Sequence, residues 1–427
     1  MAALDDVARA VGRLASVVRS GVRTLGPVDS NPVPTDWTHV TKLDPEHAKK
    51  LPLLYPLYLQ HTSAVSVGGS SDVTAANTEE TFTLLSPLTV PVFHEPSGPR
   101  HITHRTRDAA AFIAIPEVLN GDSESLVGTL GVGIEHIREQ LAPELLDDAL
   151  PRWTPERIVD ALANVATSVL LSEAVFEAYI IQNPDSAAAR EANVGPDDLL
   201  SPTEAKQHAM AAERHLDSEL VYLEYSGTYG DEEATAILDA VSEGLDWSRL
   251  WYGGGLDSRE GVEAMLDAGA DTVVVGNAFH DVADEEAELV AAATETLATD
   301  ADETAVREWL TETVDVADSA AARYLSTVPS VADPTSTAED ALVASVRTAL
   351  ELDGLAEQVS EAEPSTRAEL RAAVDDAGNL PGARYLDESM CKHPEAMARS
   401  VAVDVLARRL GLDIDGRLPV SHLSTDR

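Results

Sequence analysis

Glu224 stands in the run Tyr222-Leu223-Glu224-Tyr225-Ser226-Gly227. If that run is a strand, alternation turns Tyr222, Glu224 and Ser226 to one side and Leu223 and Tyr225 to the other. A carboxylate on the inward side is costly unless a ligand or a cation meets it. It reads either as a catalytic or ligand-binding acid, or as the partner of Lys42 in an ion pair. Lys42 lies in Thr41-Lys42-Leu43-Asp44-Pro45, and Ser70 in Gly68-Gly69-Ser70-Ser71. A carboxylate and a hydroxyl at adjacent strand ends, without His or Cys, suit a hard cation such as Mg²⁺ carrying a diphosphate. The competing reading makes Asp44 an N-cap before Pro45. Glycines close two further runs, Tyr252-Gly253-Gly254-Gly255 and Gly276-Asn277. Such backbone can approach a phosphate closely, whereas tight turns with positive φ would need glycine for conformation alone.

Strands must position these groups, and eight short apolar, β-branched runs supply them: 37–43, 63–69, 88–96, 111–120, 176–184, 219–227, 249–256 and 272–279. Most carry successive apolar residues, as strands buried on both faces of a parallel sheet do. Helical spacing fills most of the intervals, for example Ala234, Ile237, Leu238 and Val241. The pattern predicts a TIM barrel, whose active face is formed by the C-terminal ends of its strands. Two connections depart from it. Residues 97–110 show no apolar helical stripe, so the third outer helix is expected to be missing or reduced. Residues 121–175 are too long for one helix and are expected to form a lid or an interface. Beyond about residue 300 only helices are expected, over 303–325, 338–352, 364–376 and 395–410. The chain divides on this reading into an amphipathic N-terminal extension (1–36), a barrel (37–298) and an acidic helical domain (299–427).

The 427 residues carry 74 acids against 30 bases, a net charge of −44. Such a surface repels nucleic-acid phosphates. Lysine is scarce, and an acidic coat that stays hydrated in strong salt points to a halophilic source, with a fold that weakens at low ionic strength. One cysteine excludes an intrachain disulfide, and no Cys/His cluster offers a zinc site. With no long apolar run and no leader-like apolar core, the protein is expected to be soluble and cytoplasmic. Leu4, Val7, Val11, Leu14, Val18, Val22 and Leu25 form a stripe on the N-terminal helix. That stripe is expected to pack on the barrel or a neighbouring subunit, or else to touch a membrane surface.

Seven stretches together resemble the geranylgeranylglyceryl phosphate synthases of archaea and their bacterial heptaprenylglyceryl phosphate relatives. They are HVTKLDPE (39–46), GGSSDVT (68–74), HEPSGP (94–99), YIIQNPDSAAAR (179–190), YLEYSGTYG (222–230), YGGGLDSRE (252–260) and VVVGNAF (273–279). The resemblance implies a modified TIM barrel lacking the third outer helix. It also implies attack by the 3-hydroxyl of sn-glycerol 1-phosphate on geranylgeranyl diphosphate, the first ether bond of archaeal membrane lipid. Matched by motif, Lys42 and residues Tyr222, Leu223, Glu224, Tyr225, Ser226 and Gly227 would contact glycerol phosphate. Gly255, Gly276 and Asn277 would hold its phosphate, and Asp44 and Ser70 would bind Mg²⁺. Glu224 would accept the proton of the attacking hydroxyl.

Many archaeal members of that family carry a Trp soon after the fourth strand, where this chain reads Asn120-Gly121-Asp122-Ser123-Glu124-Ser125. A prenyl chain longer than C20 therefore stays open. The helical extension has no counterpart in the family. Arg100, His101, His104, Arg105 and Arg107 form a basic cluster, read as a solvated loop or as a contact for the prenyl diphosphate. Gly128–Gly133 does not follow a strand and is discounted as a nucleotide loop, and Cys391-Lys392-His393 is expected to be a surface turn. Two other functions remain as alternatives. One is a phosphate-binding isomerase or aldolase, which would need a Schiff-base lysine or a second acid facing Glu224. The other is a catalytically degenerate scaffold for the helical domain. The extension is expected to pack on the barrel's outer surface or to join subunits into a homo-oligomer.

Overall fold

The computed structural model describes residues 29, 31–46, 49–69, 73–123, 125, 128–149, 151 and 154–412. The N-terminal stripe, with its membrane or subunit contact, lies outside the described residues, and so does Ser70. Eight parallel strands close into a barrel in sequence order: β1 (His39–Leu43), β2 (Ala64–Val67), β3 (Val92–His94), β4 (Ile113–Val118), β5 (Ala174–Ile181), β6 (Leu220–Tyr225), β7 (Arg249–Gly254) and β8 (Thr272–Val275). Closure pairs His39 with Val273, Val40 with Val274 and Thr41 with Val275. Seven of the eight apolar runs are these strands trimmed at their ends, whereas β5 begins two residues before its expected run at 176.

Alternation divides the strand side chains between two cores. Val40, Ala64, Phe93, Ala114, Val175, Leu220, Trp251 and Val274 point inward and pack under Trp37. Trp37 stacks on Phe93 and Phe112 with ring centres 6.0 and 5.9 Å apart, which plugs the N-terminal end of the barrel. Leu43, Val65, Val67, Ala178, Ile180, Val221, Leu223, Tyr252, Val273 and Val275 point outward into a second core formed with the helices.

The outer layer is uneven. Strand β1 is followed by the single-turn helix α1 (Pro56–Leu59), β2 by α2 (Ala75–Leu85), and β3 by a six-residue α3 (His104–Ala109). The third outer helix is thus reduced, as expected, and the first is reduced further, which the sequence pattern did not disclose. The long excursion after β4 holds α4 (Thr129–His136), α5 (Ala142–Ala149) and α6 (Glu156–Ser172). Gly128–Gly133 lies at the start of α4, so its glycines cradle no nucleotide from a strand end. Strands β5 to β8 are followed by α7 (Ala187–Ala192) with α8 (Pro202–Ala211), α9 (Asp231–Ser242), α10 (Arg259–Asp267) and α11 (Asn277–Thr296).

The rest is helical, as expected: α12 (Glu303–Thr313), α13 (Ala320–Thr327), α14 (Pro334–Ser360), α15 (Arg367–Asp376) and α16 (Pro394–Arg409). The helix expected over 303–325 is broken in two, because Asp315 and Ser319 turn their side chains onto the Ala317 and Ala322 amides. The helix expected from 338 starts earlier, with Pro334 at its first position behind the Asp333 cap. These helices pack on the outside of the barrel, against α10 and α11, and a short bridge joins Leu88 to Cys391. Cys391 is therefore fully buried rather than part of a surface turn, and burial pushes its thiol up to about 11.

His94, on the outer face of β3, is 1% exposed and packs edge-on against Phe82. Its Nδ1 has no hydrogen-bond partner among the described residues. Burial, with His101 nearby, lowers its pKa from 6.5 to about 3. The unfolded chain therefore takes up a proton below pH 6.5 that the folded chain refuses until about pH 3. Stability present above 6.5 should fall by about 1.4 kcal/mol per pH unit in that window. Urea midpoints at pH 7.5 and 5.5 check this: His94→Leu should narrow the difference between them, and an unchanged difference would assign the acid sensitivity elsewhere.

Candidate active site

A cavity of about 690 Å³ opens at the C-terminal ends of the strands. Its wall includes Lys42, Asp44, Tyr222, Glu224, Ser226, Gly227, Gly255, Gly276 and Asn277. Leu223 and Tyr225 are turned away from it. Leu223 is buried in the outer core, and the Tyr225 hydroxyl donates to Glu233 at 3.1 Å. The strand period of two decides this, so only backbone atoms of these two residues remain on the inner side.

Lys42 does not pair with Glu224. Its ammonium donates to Glu95 at 2.7 Å. Glu95 follows β3 directly and also accepts from Tyr179 Oη at 2.5 Å and Ser66 Oγ at 3.0 Å. Burial alone would lower the Lys42 pKa, but Glu95, Glu224 and Asp44 outweigh it and hold the pKa above the ordinary lysine value. Glu224 is 3% exposed. Its Oε1 accepts from the Ser226 amide at 2.9 Å and from the Ser226 hydroxyl. Burial raises the Glu224 pKa above the usual glutamate value, against the pull of Lys42 and Ser226. Tyr179 and Tyr222 stack with centres 4.5 Å apart. Burial first, and the carboxylates around them second, keep both phenols protonated.

Below this layer lies Glu177, fully buried on β5, with neither carboxyl oxygen hydrogen-bonded among the described residues. Burial first, and the neighbouring Glu95 second, push its pKa well above the ordinary glutamate value, which favours the protonated form. Sequence reasoning missed Glu95, Glu177, Tyr179 and Ser66. Glu95 could have been found by the reasoning that singled out Glu224, a carboxylate at the C-terminal end of an apolar run; Glu177, in mid-strand, left only its alternation as a signal.

The glycines serve close approach. Among the cavity glycines only Gly227, at φ +82°, needs the left-handed region; Gly253, Gly254, Gly255 and Gly276 do not. A Cβ on Gly253 would stand 1.9 Å from Tyr222 Oη, so glycine there makes room for a phenol that lines the cavity. Gly276 caps the 20-residue helix α11, whose unpaired amides begin at Asn277. Gly255, Gly276 and Asn277 thus bring a helix N-terminus and an adjoining loop to one side of the cavity, an arrangement that receives an anion.

Asp44 lines the same cavity, with its side chain 38% exposed and His280 Nδ1 at 3.8 Å. Residues 44–46 are not helical, so the N-cap reading of Asp44 fails. No group of three or more His, Cys, Asp or Glu able to hold a metal occurs among the described residues. One accessible carboxylate still fits Mg²⁺, which is commonly held by one or two carboxylates together with substrate phosphates.

The basic cluster is divided. Arg105 pairs with Glu79 at 3.3 Å, while Arg100 and His101 line a neighbouring cavity of about 570 Å³ with His136, Glu135, Glu139 and Glu191. Three carboxylates face a single permanent cation there, Arg100.

A model of the PcrB family matches residues 34–294. The chain belongs to the PcrB family. Geranylgeranylglyceryl phosphate synthase of Methanoculleus marisnigri is 34% identical over 247 residues, which cover 57% of this chain and 91% of that protein. The enzyme of the same name from Halobacterium salinarum is 32% identical over 58% of this chain and 89% of its own length. Heptaprenylglyceryl phosphate synthase of Brevibacillus brevis is 30% identical over 57% and 90%. The match of this PcrB protein to its family ends inside α11, so α12 to α16 lie beyond it.

Proposed function

We propose that this PcrB protein is a prenylglyceryl phosphate synthase, joining geranylgeranyl diphosphate to the 3-hydroxyl of sn-glycerol 1-phosphate. The observation that carries the reading is one cavity holding a buried carboxylate, Glu224, and an anion-receiving corner, Gly255, Gly276 and Asn277, in a chain whose relatives bear that name. The phosphate of glycerol phosphate is received by the α11 N-terminus and the Gly255 loop, with Lys42 adding positive charge. Glu224 then stands within the cavity to take the proton of the 3-hydroxyl. The glycerol oxygen forms a bond to C1 of the prenyl chain as the bond from C1 to the diphosphate oxygen breaks. The diphosphate leaves with that electron pair, and the proton rests on Glu224. Pro116, Val118, Ile181, Ala188 and Ala192 offer an apolar wall for the chain. Asp44, with Ser70, would hold Mg²⁺, which supplies neutralisation of the leaving diphosphate's charge.

Lys42 is a poor candidate for Schiff-base chemistry, which needs a lysine of lowered pKa; its ion pair raises the pKa instead. Lys49, which burial brings down to about 8, lies outside the cavity lining. These facts weigh against an isomerase or aldolase that works through a Schiff base. The relative from Brevibacillus brevis and the missing Trp favour a second reading, in which the prenyl chain is longer. Incubation in molar KCl with Mg²⁺, each glycerol phosphate enantiomer and all-trans diphosphates of C20 to C35 tests both. An ether product with the sn-1 enantiomer is expected; no product with any chain length would refute the function, and preference for C35 over C20 would change the substrate.

A further inference from the structure

The outer face of β1 carries His39, Thr41 and Leu43, all buried, yet α1, the helix that should cover it, is a single turn. Helix α13 makes up the deficit. Tyr324 is fully buried, and its hydroxyl lies 2.8 Å from Thr41 Oγ1. Its ring meets Phe279 with centres 4.9 Å apart and Tyr58 at 6.3 Å, both edge-on. One turn further on, Thr327 Oγ1 lies 3.1 Å from His39 Nε2. Burial lowers His39 to a pKa of about 3, so this contact is made to a neutral ring. After α13, the carbonyls of Pro329 and Val331 accept from Arg259 of α10 at 3.0 and 2.6 Å.

These contacts touch the cavity's framework from behind. Thr41 immediately precedes Lys42 and lies three residues before Asp44. Phe279 follows Asn277 by two residues, in the first turn of α11. One side chain therefore grips both the strand that presents Lys42 and Asp44 and the helix whose N-terminus faces the cavity from beside it.

We infer that Tyr324 is a positioning residue of the active site, and that the helical region beyond residue 300 serves as the outer layer of the first β/α unit, fixing β1 against α11. A ring that merely fills space would tolerate loss of its hydroxyl, because phenylalanine keeps every ring contact. A ring that positions β1 through Thr41 would not, since loss of one hydrogen bond inside a dry core leaves the threonine hydroxyl unmatched.

The test uses the full chain in molar KCl with Tyr324→Phe, Thr41→Val and the double variant. Without substrate, amides of β1 in Tyr324→Phe should exchange hydrogen about tenfold faster, while the strands remote from α13 keep their rates. The activity arm rests on the proposed function. There KM for sn-glycerol 1-phosphate should rise about tenfold while kcat stays within about twofold. The double variant, which pairs two apolar groups, should recover part of both losses. Unchanged β1 exchange in Tyr324→Phe overturns the inference, whether or not the protein forms ether product. Faster β1 exchange with a wild type that forms no ether would instead sink the proposed function and leave α13's hold on β1 standing.

Discussion

Glu224→Gln is expected to lower kcat by about 10²–10⁴-fold, with much smaller changes in KM for either substrate. Glutamine keeps the length and an oxygen that can accept from the Ser226 amide, so the local turn survives. What is lost is the capacity to take a proton. The wild-type enzyme should also show an acid limb in kcat/KM lying above pH 4.5, because burial raises Glu224 above that value and the base works only when ionised. Activity is therefore lost as pH falls through the raised pKa, and the residual activity of Glu224→Gln should lack that limb. Single-turnover rates across pH 4.5–8 in molar KCl decide it. Near-normal turnover in Glu224→Gln would remove Glu224 from proton transfer, and the retreat to an ion pair with Lys42 is closed, because Lys42 is engaged by Glu95.

That pairing marks the limit of what the chain discloses in one dimension. The strands were legible because parallel strands buried on both faces read as continuous apolar runs, and the cavity residues because they sit where those runs end. The partner of Lys42 was not, since Glu95 is 53 residues away and directly follows a strand that does not neighbour β1 in the barrel. Nothing in local spacing says which of the inward carboxylates an inward lysine meets. The break between α12 and α13 was hidden for a different reason. Its apolar stripe continues through Val314 and Val316, while Asp315 and Ser319 act locally as caps. The shortened α1 was masked by its composition: 51–59 is rich in Leu and Tyr, which suits helices and strands alike, and Pro56 at its first position fixes only where it starts. The consequence, a bare strand that needs cover from elsewhere, appears only in three dimensions.

Cutting the chain near Asp300 should therefore yield an insoluble or unfolded barrel rather than a smaller working one. The outer core runs without interruption from Leu43, Val67 and Phe279 through Tyr324 and Leu342 to Leu406. Tyr58, Leu88 and Phe279 are at most 1% exposed and Leu289 is 6% exposed, and the helices beyond residue 300 pack on this side of the barrel. Burying a side chain of this size contributes about 1.5–3 kcal/mol, so baring four of them forfeits on the order of 6–12 kcal/mol. That is comparable to the whole stability of an ordinary domain, about 5–15 kcal/mol. Strong salt does not rescue this loss, because it screens the acidic surface without re-covering apolar area. The barrel alone accounts for about nine tenths of the length of the relatives it matches; in this chain α1 is a single turn, and α13 covers β1. Expression of residues 1–300 beside the full chain in molar KCl, followed by sedimentation and circular dichroism, reads the outcome. A soluble, cooperatively folding fragment with full activity and an unchanged assembly state would show that the barrel closes its own outer layer, and would leave α12 to α16 with a separate task.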